Sequence, residues 1–523
     1  MNIFLISLIP WIIYIIIKIN RPLMYIQQNV YDSSMRYFKW CIKNWKKSLV
    51  ALDILGMLFA INFKYNFIVF MLLFLINIIL IYNQYKKEEL IKPLVVTSRI
   101  KRMCVTITIM YLIPITIMIS KFNADHIGIY YLILSLCSYI IYFAVLLANR
   151  INFPVEKCVY FSYKHKATKK LKSMKNLQII GITGSYGKTS SKNILSSILN
   201  VKYNALPTPK NLNTPYGLMI TINNYLDKFD DIFIAEMGAY FKGEIKTLCD
   251  FVHPKYGILT KIGKAHMETF GSQKKIQEGK FELIESLPSD GVAILNKDDE
   301  LQTSYNLKNK VKIIWIAIYD KTADVYAENI KYSMAGTSFD CVFNNTKEKI
   351  HLETKLLGEP NIYNILAAIA LGKYLGLSNQ ELINGTAMTK PVEHRLEIKQ
   401  NGDITFLDDA YNSNEIGAKM ALDTLKLMDG KKIIITPGMV ELGKESYDVN
   451  KKFGIQMCDV CDEIILVKND MTNYIKEGIE EKKYSIEHLH IVNTEKEALS
   501  LIYTLKGKKT YVLLENDLPD IFK

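Results

Sequence analysis

Residues 181–190, with the sequence GITGSYGKTS, constrain the fold of this chain more than any other part of it. They follow an apolar run at 177–180, which predicts a buried strand, and precede apolar residues at helical spacing over 191–199. A strand, a glycine turn and a helix in this order bring backbone N–H groups and the positive end of the helix dipole to one anion. The stretch therefore predicts an α/β sheet with a phosphate-binding loop.

The side chains of this loop suit the terminal phosphates of a nucleotide. Gly184 and Gly187 let the backbone close around a phosphate, and Lys188 is placed to reach the terminal phosphates. The hydroxyl group of Thr189 or Ser190 is then expected on Mg²⁺. The loop is shorter than the general pattern, since isoleucine replaces the first glycine of that pattern. Taken alone, the loop leaves open a plain glycine turn followed by a surface lysine.

The first 150 residues differ from the rest of the chain in their long apolar runs. These runs approach or reach the ~20 residues that span a bilayer. They cover residues 3–17, 49–63, 67–82, 104–119 and 127–148. A cleaved signal peptide is the alternative for the first run, but no basic residue precedes it and no small-residue cleavage site follows it. Residues 1–150 are therefore predicted to form a membrane domain of about five transmembrane helices.

Basic residues set the expected orientation of these spans. They are concentrated in the connections after the first and third runs, and positive loops stay on the cytoplasmic side. The N-terminus is then outside, and everything after residue 149 is cytoplasmic. The net charge of +13 is assigned to contact with anionic lipid and not with nucleic acid. Eight scattered cysteines do not predict a disulfide framework.

Pattern and composition divide the remaining chain into three parts. Residues 151–176 form a basic, helix-prone connector without room for another folded domain. Residues 177–390 hold the phosphate-binding loop, the strands that follow it and an antiparallel extension over 311–356. Residues 391–523 alternate strands with helices, which predicts a second α/β domain.

Two side chains follow predicted strands of the central part. Glu236 ends a strand predicted at 231–235, and a carboxylate beside a glycine at that point suits Mg²⁺. His266 follows the strand predicted at 256–260. A lone histidine is more often structural, but the carboxyl ends of parallel strands meet at one edge of a sheet. A metal role is therefore favoured for both residues.

Taken together and in this order, these residues resemble the Mur ligase family, the ATP-dependent amino acid and peptide ligases of cell-wall precursor synthesis. The resemblance is strongest to the members that add D-alanyl-D-alanine to a UDP-muramoyl tripeptide. The stretches that carry it are residues 183–190, 211–217, 235–238, 263–268, 271–283, 358–364, 395–397, 408–414 and 438–443. It implies an α/β fold with a Mur-ligase-like P-loop central domain and a Rossmann-like C-terminal α/β domain, here preceded by an α-helical membrane domain.

The resemblance also implies roles for single residues. Those expected to bind ATP are Gly184, Ser185, Gly187, Lys188, Thr189, Ser190, Asn361, Arg395 and Asp409. Those expected to hold Mg²⁺ are Thr189, Ser190, Glu236, His266 and Lys280. Direct roles in catalysis are expected for Lys188, His266 and Lys280, and a role in shaping the cleft for Tyr411, Asn412 and Asn414.

Lys280 shows how much the resemblance adds to the residues themselves. It lies on a helix predicted over 274–286 and would by itself be expected to be solvated. Mur ligases commonly carry a carbamylated lysine at this place, which helps to position a second Mg²⁺. The resemblance therefore implies a metal-binding role for a residue that the pattern alone places on the surface.

The implied reaction activates a carboxylate. A substrate carboxylate attacks the γ-phosphate of ATP to give an acyl phosphate, and an amine then displaces phosphate to form an amide. The expected partners are a cell-wall precursor or another peptide carboxylate and the amine of an amino acid or dipeptide. No nucleophile from the enzyme is required.

Two departures from the family pattern keep the substrate open. Mur ligases normally begin with a soluble domain for the uridine nucleotide, and membrane spans take that place here. Gly438 stands where the D-alanyl-D-alanine-adding members usually have an aspartate. A lipid-linked or membrane-proximal acceptor fits an enzyme with membrane spans better than a UDP-linked one does. The alternatives are a polyglutamate-like extension reaction and an ATP-gated transporter or regulator, although the spans hold few ionisable residues for a transport path.

Overall fold

A computed structural model of the chain describes residues 2–29, 31, 36–43, 67–87, 93–264, 267–333, 335–410, 414–440, 442 and 445–515. The chain divides into two compact units, and the boundary lies between Ser162 and Tyr163. The first unit is helical over its described residues, and the second holds two β-sheets with their helices.

The described helices of the first unit pack around aromatic rings. Their bounds are α1 Asn2–Lys18, α2 Asn20–Gln28, α3 Arg36–Lys43, α4 Phe67–Lys87, α5 Ser98–Ser120, α6 Ile127–Tyr139 and α7 Ile141–Ser173. The ring of Phe70 stacks on that of Tyr131 at a centroid distance of 4.1 Å. The indole N–H of Trp11 donates a 2.9 Å hydrogen bond to the carbonyl oxygen of Leu134.

Three stretches of the described residues are long and apolar enough to cross a membrane, namely Phe4–Gln28, Ile68–Lys86 and Ser98–Ser120. They correspond to three of the five predicted runs. The run at 49–63 lies outside the described residues. Helices α6 and α7 together pass the same test, but they are bent by 69° where they meet.

The apolar run at 127–148 and the basic connector after it are arranged differently from the prediction. The structure divides the run between α6 and α7, and α7, which is 33 residues long, continues past the run through most of the expected connector. The stretch Ile141–Ser173 contains no glycine, and Pro154 inside it does not end the helix. The connector is therefore helical, as its composition indicates, but it is continuous with the second half of the apolar run.

The central part of the second unit is built on a nine-stranded sheet. Its strands are β1 Gln178–Thr183, β2 Ala205–Pro207, β3 Ile232–Glu236, β4 Tyr256–Leu259, β5 Val292–Asn296, β6 Lys312–Ala317, β7 Val325–Ser333, β8 Gly336–Phe343 and β9 Glu348–Thr354. They lie in the order β2-β3-β1-β4-β5-β6-β7-β8-β9. The strands from β2 to β7 in this order pair in parallel, and β8 and β9 extend the sheet antiparallel. The structure thus has the predicted parallel sheet and its antiparallel extension.

Helices cover both faces of this sheet. They are α8 Lys188–Leu199, α9 Pro215–Asn224, α10 Glu244–Val252, α11 Met267–Phe270, α12 Gln273–Glu285, α13 Glu300–Thr303, α14 Glu359–Tyr374 and α15 Asn379–Ala387. Helix α14 packs on β5, β6 and β7 and against α8, which itself packs on β1, β2 and β3, so α14 is apolar on most of its sides. This packing holds the start of α8, and with it the phosphate-binding loop, against the end of β1.

The last part of the second unit is a six-stranded sheet with the order β10-β11-β15-β12-β13-β14. Its strands are β10 Glu397–Asn401, β11 Ile404–Asp409, β12 Lys431–Thr436, β13 Glu463–Val467, β14 Leu489–Val492 and β15 Thr510–Glu515. All pairs are parallel except β10 with β11. The helices α16 Glu415–Lys426, α17 Ser446–Cys458, α18 Thr472–Glu481 and α19 Glu495–Leu505 complete two apolar cores, one on each face. The predicted Rossmann-like α/β arrangement is confirmed.

The contact between α8 and α14 gives a stability prediction. Leu195 is fully buried on α8, so Leu195→Ala is expected to lower the free energy of unfolding by about 2–5 kcal/mol through lost burial and a residual cavity. Leu427→Ala is the matched control because that side chain is 58% exposed, and we expect it to change stability by less than about 0.5 kcal/mol. Denaturant unfolding of the full chain in detergent measures both. Equal losses for the two variants would contradict this packing.

Candidate functional site

The phosphate loop, residues 184–187, connects the end of β1 to the start of α8. Gly184 has φ +154°, and a Cβ atom there would collide with the hydroxyl group of Thr260. Gly187 has φ +78° and is the N-cap of α8. Both positions therefore need glycine, one for space and the other for its left-handed backbone. The loop folds as the sequence predicts.

Lys188 lies folded over the loop that precedes it. Its Nζ donates hydrogen bonds to the carbonyl oxygens of Gly184 (2.8 Å) and Ser185 (3.1 Å). Burial lowers the pKa of Lys188 to about 8, while the charge of Glu236 opposes this shift and that of Arg395 adds to it. A buried ammonium group at this point is suited to an anionic ligand because phosphate oxygens would replace the backbone carbonyls.

A cleft between the two sheets of the second unit, called the inter-sheet cleft here, brings several predicted residues together. Its lining includes Tyr186, Gly187, Ser190, Asn361, Asn364, Arg395, Asp409 and Asn414. The amide of Asn361 donates to the carbonyl oxygen of Leu357 at 2.8 Å. The structure thus places five of the nine predicted nucleotide-binding residues on one cleft beside the phosphate loop, namely Gly187, Ser190, Asn361, Arg395 and Asp409. Tyr411 and Asn412 lie outside the described residues.

Asp409 ends β11 at the wall of this cleft. One of its carboxylate oxygens accepts a 3.0 Å hydrogen bond from the backbone N–H of Leu396. Burial raises the pKa of Asp409 to about 6, although this hydrogen bond and the charge of Arg395 act in the opposite direction. A group donating a hydrogen bond to Asp409 would favour its ionised form.

Glu236 ends β3 and is almost completely buried, with 1% of its surface exposed. Its Oε1 accepts hydrogen bonds from the Thr189 hydroxyl group (3.2 Å) and from the Asn213 amide (3.0 Å). Its Oε2 lies 2.9 Å from Nζ of Lys192. The register of the sheet explains the contact with Thr189, since Glu236 is level with Ile182 just before the phosphate loop. The predicted carboxylate and hydroxyl ligands are therefore adjacent.

Sequence reasoning missed Lys192 and Asn213 as partners of Glu236. Lys192 lies on α8 one turn after Lys188, so both lysines share a helix face, and its Nζ also donates to the carbonyl oxygen of Lys210 at 2.6 Å. The signal for it was its spacing, since Lys192 lies three and seven residues before the buried Leu195 and Leu199 on the same helix face. Asn213 lies in a proline-rich loop, whose path the sequence does not determine.

The residues present fit an Mg²⁺ ion that is bound together with a nucleotide. Mg²⁺ usually takes one or two carboxylates, phosphate oxygens and waters, and Glu236 with Thr189 offers such an oxygen set. No group of three or more His, Cys, Asp or Glu side chains that could hold a metal ion occurs within the part of the chain that the structure describes. His266 lies outside that part.

The expectation that Lys280 is a solvated residue is wrong. Its side chain is on α12 and 1% exposed, because α12 packs its middle turns against the sheet. Its Nζ lies 3.5 Å from the carbonyl oxygen of Ala239 and 5.4 Å from the ring centroid of Phe270. Burial lowers the pKa of Lys280 to about 7, and the charge of Lys188 acts in the same direction. Much of this amine is neutral near pH 7 and can act as a nucleophile.

A second pocket is lined by Lys188 and is called the substrate-side pocket here. Its lining consists of Lys188, Asn213, Thr214, Pro215, Gly238, Ala239, Tyr240, Glu244 and Thr247. Lys188 directly follows Gly187, which lines the inter-sheet cleft, and Asn213 links the second pocket to Glu236. The two pockets therefore both adjoin the phosphate loop.

The structure explains why residue 438 is a glycine and not the aspartate expected at this position. Its φ is +87°, and a Cβ atom there would lie 2.7 Å from Cδ1 of Ile475 and 2.8 Å from Oδ1 of Asn450. That amide oxygen also accepts a hydrogen bond from the backbone N–H of Met439. The loop after β12 is therefore built around glycine, and it presents no carboxylate at this position.

The chain matches two known domain families. Residues 182–372 match the Mur ligase middle domain, and residues 394–515 match the Mur ligase glutamate ligase domain. Among curated proteins, it is similar to the UDP-N-acetylmuramoyl-tripeptide–D-alanyl-D-alanine ligase of Bacillus subtilis, with 32% identity over 53% of this chain and 59% of that protein. The corresponding Escherichia coli ligase is 31% identical over 51% of this chain and 59% of its own length. The chain thus spans about three fifths of these two relatives.

A longer alignment joins the chain to the same ligase of Buchnera aphidicola subsp. Acyrthosiphon pisum. The identity is 30% over 66% of this chain and 77% of that protein. Among solved structures, MurF from Acinetobacter baumannii is similar at a TM-score of 0.61 and 25% identity, over 68% of this chain and 77% of that structure. MurF from Thermotoga maritima, solved in complex with ADP, shares the fold at a TM-score of 0.61 and 23% identity, over 68% and 80%.

The environment of Gly438 predicts the effect of restoring an acidic residue. Gly438→Asp is expected to destabilise the protein by about 1–3 kcal/mol for the left-handed backbone, with a further loss for the crowded Cβ. Gly402→Asp is the matched control, since Gly402 has φ +59° with nothing within 4 Å of its Cβ. The loss of Tm is measured for both variants by thermal unfolding. The loss in the Gly402 variant reports backbone strain alone, and the additional loss in the Gly438 variant reports crowding. A Gly438 variant no less stable than the Gly402 variant would contradict the described contacts.

The neutral fraction of Lys280 predicts its reaction with carbon dioxide. The protein equilibrated with ¹³C-bicarbonate is expected to show a carbamate signal by NMR that grows from pH 6 to pH 8, because deprotonation above a pKa of about 7 frees the amine. Lys280→Gln removes that signal, and exposed lysines with ordinary pKa values provide the background. A signal of equal size in the variant would show that the carbamate forms elsewhere.

Proposed function

Because this chain belongs to the Mur ligase family, we propose that it is an ATP-dependent amide ligase anchored in a membrane. It activates a carboxylate as an acyl phosphate and couples it to the amine of an amino acid or dipeptide in cell-wall precursor synthesis. The observation that carries this proposal is the convergence of Lys188, Glu236 and Lys280 at one edge of the nine-stranded sheet, where their charges act on one another. That edge adjoins the inter-sheet cleft.

The nucleotide and the carboxylate substrate are assigned to two different pockets. The nucleotide occupies the inter-sheet cleft, where Asn361 lies near the base and Arg395 and Asp409 contact the nucleotide from the C-terminal sheet. Bound Mg²⁺ supplies charge neutralisation on the transferring phosphoryl group, and Glu236 with Thr189 would hold it. His266 and Ser190 are proposed as further ligands, and carbamylated Lys280 as the carboxylate-like group for a second ion.

The substrate-side pocket is proposed for the carboxylate that is activated. A carboxylate there lies next to the ammonium group of Lys188, which screens its charge from the γ-phosphate. Transfer of the phosphoryl group releases ADP, and attack of the amine on the acyl carbon releases phosphate and a proton. Glu236 and Lys280 are buried and Lys188 is half-buried, so the surroundings of the acyl phosphate are poor in water, which favours attack by the amine over hydrolysis.

The apolar helices support attachment to a membrane, with the two α/β sheets on the cytoplasmic side. We propose that residues 1–150 are the membrane domain, 151–176 the connector, 177–390 the ATP-binding domain and 391–523 the C-terminal domain. The acceptor is then a lipid-linked or membrane-proximal precursor, because the membrane domain stands where the family carries its soluble uridine-nucleotide domain.

Tyr163, the first residue of the second unit, contacts α9. The ring of Tyr163 stacks on that of Tyr216 at a centroid distance of 6.1 Å, and its carbonyl oxygen accepts a 3.0 Å hydrogen bond from the Asn223 amide. Both partners belong to α9, whose first residue, Pro215, lines the substrate-side pocket. Tyr163 thus supports the helix whose first residue lines the pocket proposed for the acceptor.

The proposed reaction predicts when phosphate is released. The full chain in detergent with MgATP is expected to release phosphate only when a muramoyl-peptide carboxylate and an amine are both present. Lys188→Ala and Glu236→Gln are expected to lower that rate at least about 100-fold, since each removes charge stabilisation during phosphoryl transfer. A coupled phosphate assay with product detection by mass spectrometry measures both quantities.

Lys202→Ala is the matched control for this assay. Lys202 follows α8 and is exposed, with its ammonium group bonded to the carbonyl oxygen of Gly376, outside the site. It is expected to leave the rate unchanged. Phosphate release at full rate without an amine would support an ATP-gated regulator and contradict the ligase. Offering the acceptor in UDP-linked and lipid-linked forms identifies the carrier, and we expect faster turnover of the lipid-linked form.

A further inference from the structure

Lys192 is a buried charge that the proposed reaction does not use directly. Its side chain is 2% exposed, and its ammonium group has two partners, Oε2 of Glu236 at 2.9 Å and the carbonyl oxygen of Lys210 at 2.6 Å. Ion pairs of surface lysines contribute little to stability, whereas the two members of a buried ion pair depend strongly on one another. The position of Lys192 therefore decides what charge Glu236 offers to an incoming cation.

We propose that Lys192 is a positioning residue that acts as the fixed counter-charge of Glu236 and makes binding of a divalent cation depend on a nucleotide. This inference rests on the proposed function in one respect, the assignment of Glu236 as a Mg²⁺ ligand. It goes beyond that assignment because it concerns the order of binding and a residue outside the ligand set.

The geometry of the Glu236 carboxylate supports this role of Lys192. Lys192 binds Oε2, while the Thr189 hydroxyl group and the Asn213 amide bind Oε1. The oxygen that faces the phosphate loop is thus Oε1, and Oε2 is turned toward the lysine. Lys192 also holds the loop at Lys210, three residues before Asn213, so one ammonium group fixes the carboxylate and the segment that carries its amide partner.

The charges of Glu236 and Lys192 explain why binding of the cation would depend on a nucleotide. The ion pair of Glu236 with Lys192 is neutral as a whole, so a bare divalent cation gains little Coulomb energy from it. Among the described residues, no group of three or more His, Cys, Asp or Glu side chains could hold a metal ion. Phosphate oxygens in the inter-sheet cleft would supply the missing negative charge. The cation then binds together with the nucleotide, and a bare cation does not accumulate at a buried carboxylate.

Mn²⁺ serves as the probe for Mg²⁺ because its binding is followed directly by EPR. The full chain in detergent at pH 8 is titrated with Mn²⁺ alone and with Mn²⁺ in the presence of ADP. The wild-type protein is expected to bind Mn²⁺ weakly without ADP and much more tightly with it. Lys192→Met is expected to bind bare Mn²⁺ at least about tenfold more tightly than the wild type, because the competing positive charge is gone.

Two further variants separate this role from a merely structural one. Lys192→Met combined with Glu236→Gln removes both charges and is expected to return bare Mn²⁺ binding to a weak level while the fold is kept. Lys192→Gln keeps an uncharged N–H donor on a side chain one methylene shorter, and it replaces Lys192→Met if that variant unfolds. Lys202→Met is the control and is expected to leave Mn²⁺ binding unchanged.

Thermal unfolding gives a second readout that needs no turnover. Bare Mn²⁺ is expected to raise the Tm of Lys192→Met or Lys192→Gln clearly and that of the wild type only slightly, because a ligand stabilises the state it binds. Bare Mn²⁺ affinity equal to or below that of the wild type in both neutral variants would overturn the proposal. None of these measurements uses an acceptor or an amine, so failure of the ligase assay and failure of this inference are distinguishable.

Discussion

The carboxylate of Glu236 is the group on which the rest of this site depends. It ends β3 with 1% exposure, and such a buried charge is tolerated only when its oxygens are paired and hydrogen-bonded. Its partners come from α8 through Thr189 and Lys192 and from the loop after β2 through Asn213. The helix after the phosphate loop, the end of a strand and a wall of the substrate-side pocket are thus joined at one carboxylate. Removing it would leave Lys192 as an unpaired buried charge.

The apolar helices lie outside the region that matches the Mur ligase domains, and Gly438 differs from the aspartate that the family resemblance implies at its position. The MurF structures share this chain's central and C-terminal fold, and the apolar helices lie before that shared region. At Gly438 the positive φ and the nearby side chains of Ile475 and Asn450 require glycine. Around Glu236 and Lys188 the described residues bring together a carboxylate, a hydroxyl group and an ammonium group, which are groups that phosphoryl transfer uses. We propose that this chain catalyses the reaction of its family on a different acceptor.

Most of the fold could be predicted from the sequence, because strand, glycine turn and helix are local patterns. The strand predicted at 231–235 is Ile232–Glu236, and the helix predicted at 274–286 is Gln273–Glu285. Burial was harder to predict, since Lys192 and Lys280 are lysines whose faces are decided by how α8 and α12 pack on the sheet. The division of the apolar run at 127–148 between two helices was missed because no glycine or proline marks it. The metal role of His266 stays a prediction.

The transfer of oxygen between substrate and phosphate tests the central claim most directly. The full chain would be incubated with MgATP, an amine and a lipid-linked muramoyl peptide whose terminal carboxylate carries ¹⁸O. If the carboxylate attacks the γ-phosphate and the amine then displaces phosphate, one ¹⁸O atom per amide formed appears in the released phosphate. Phosphate that contains no oxygen from the carboxylate, and takes its new oxygen from water, would contradict carboxylate activation by this protein.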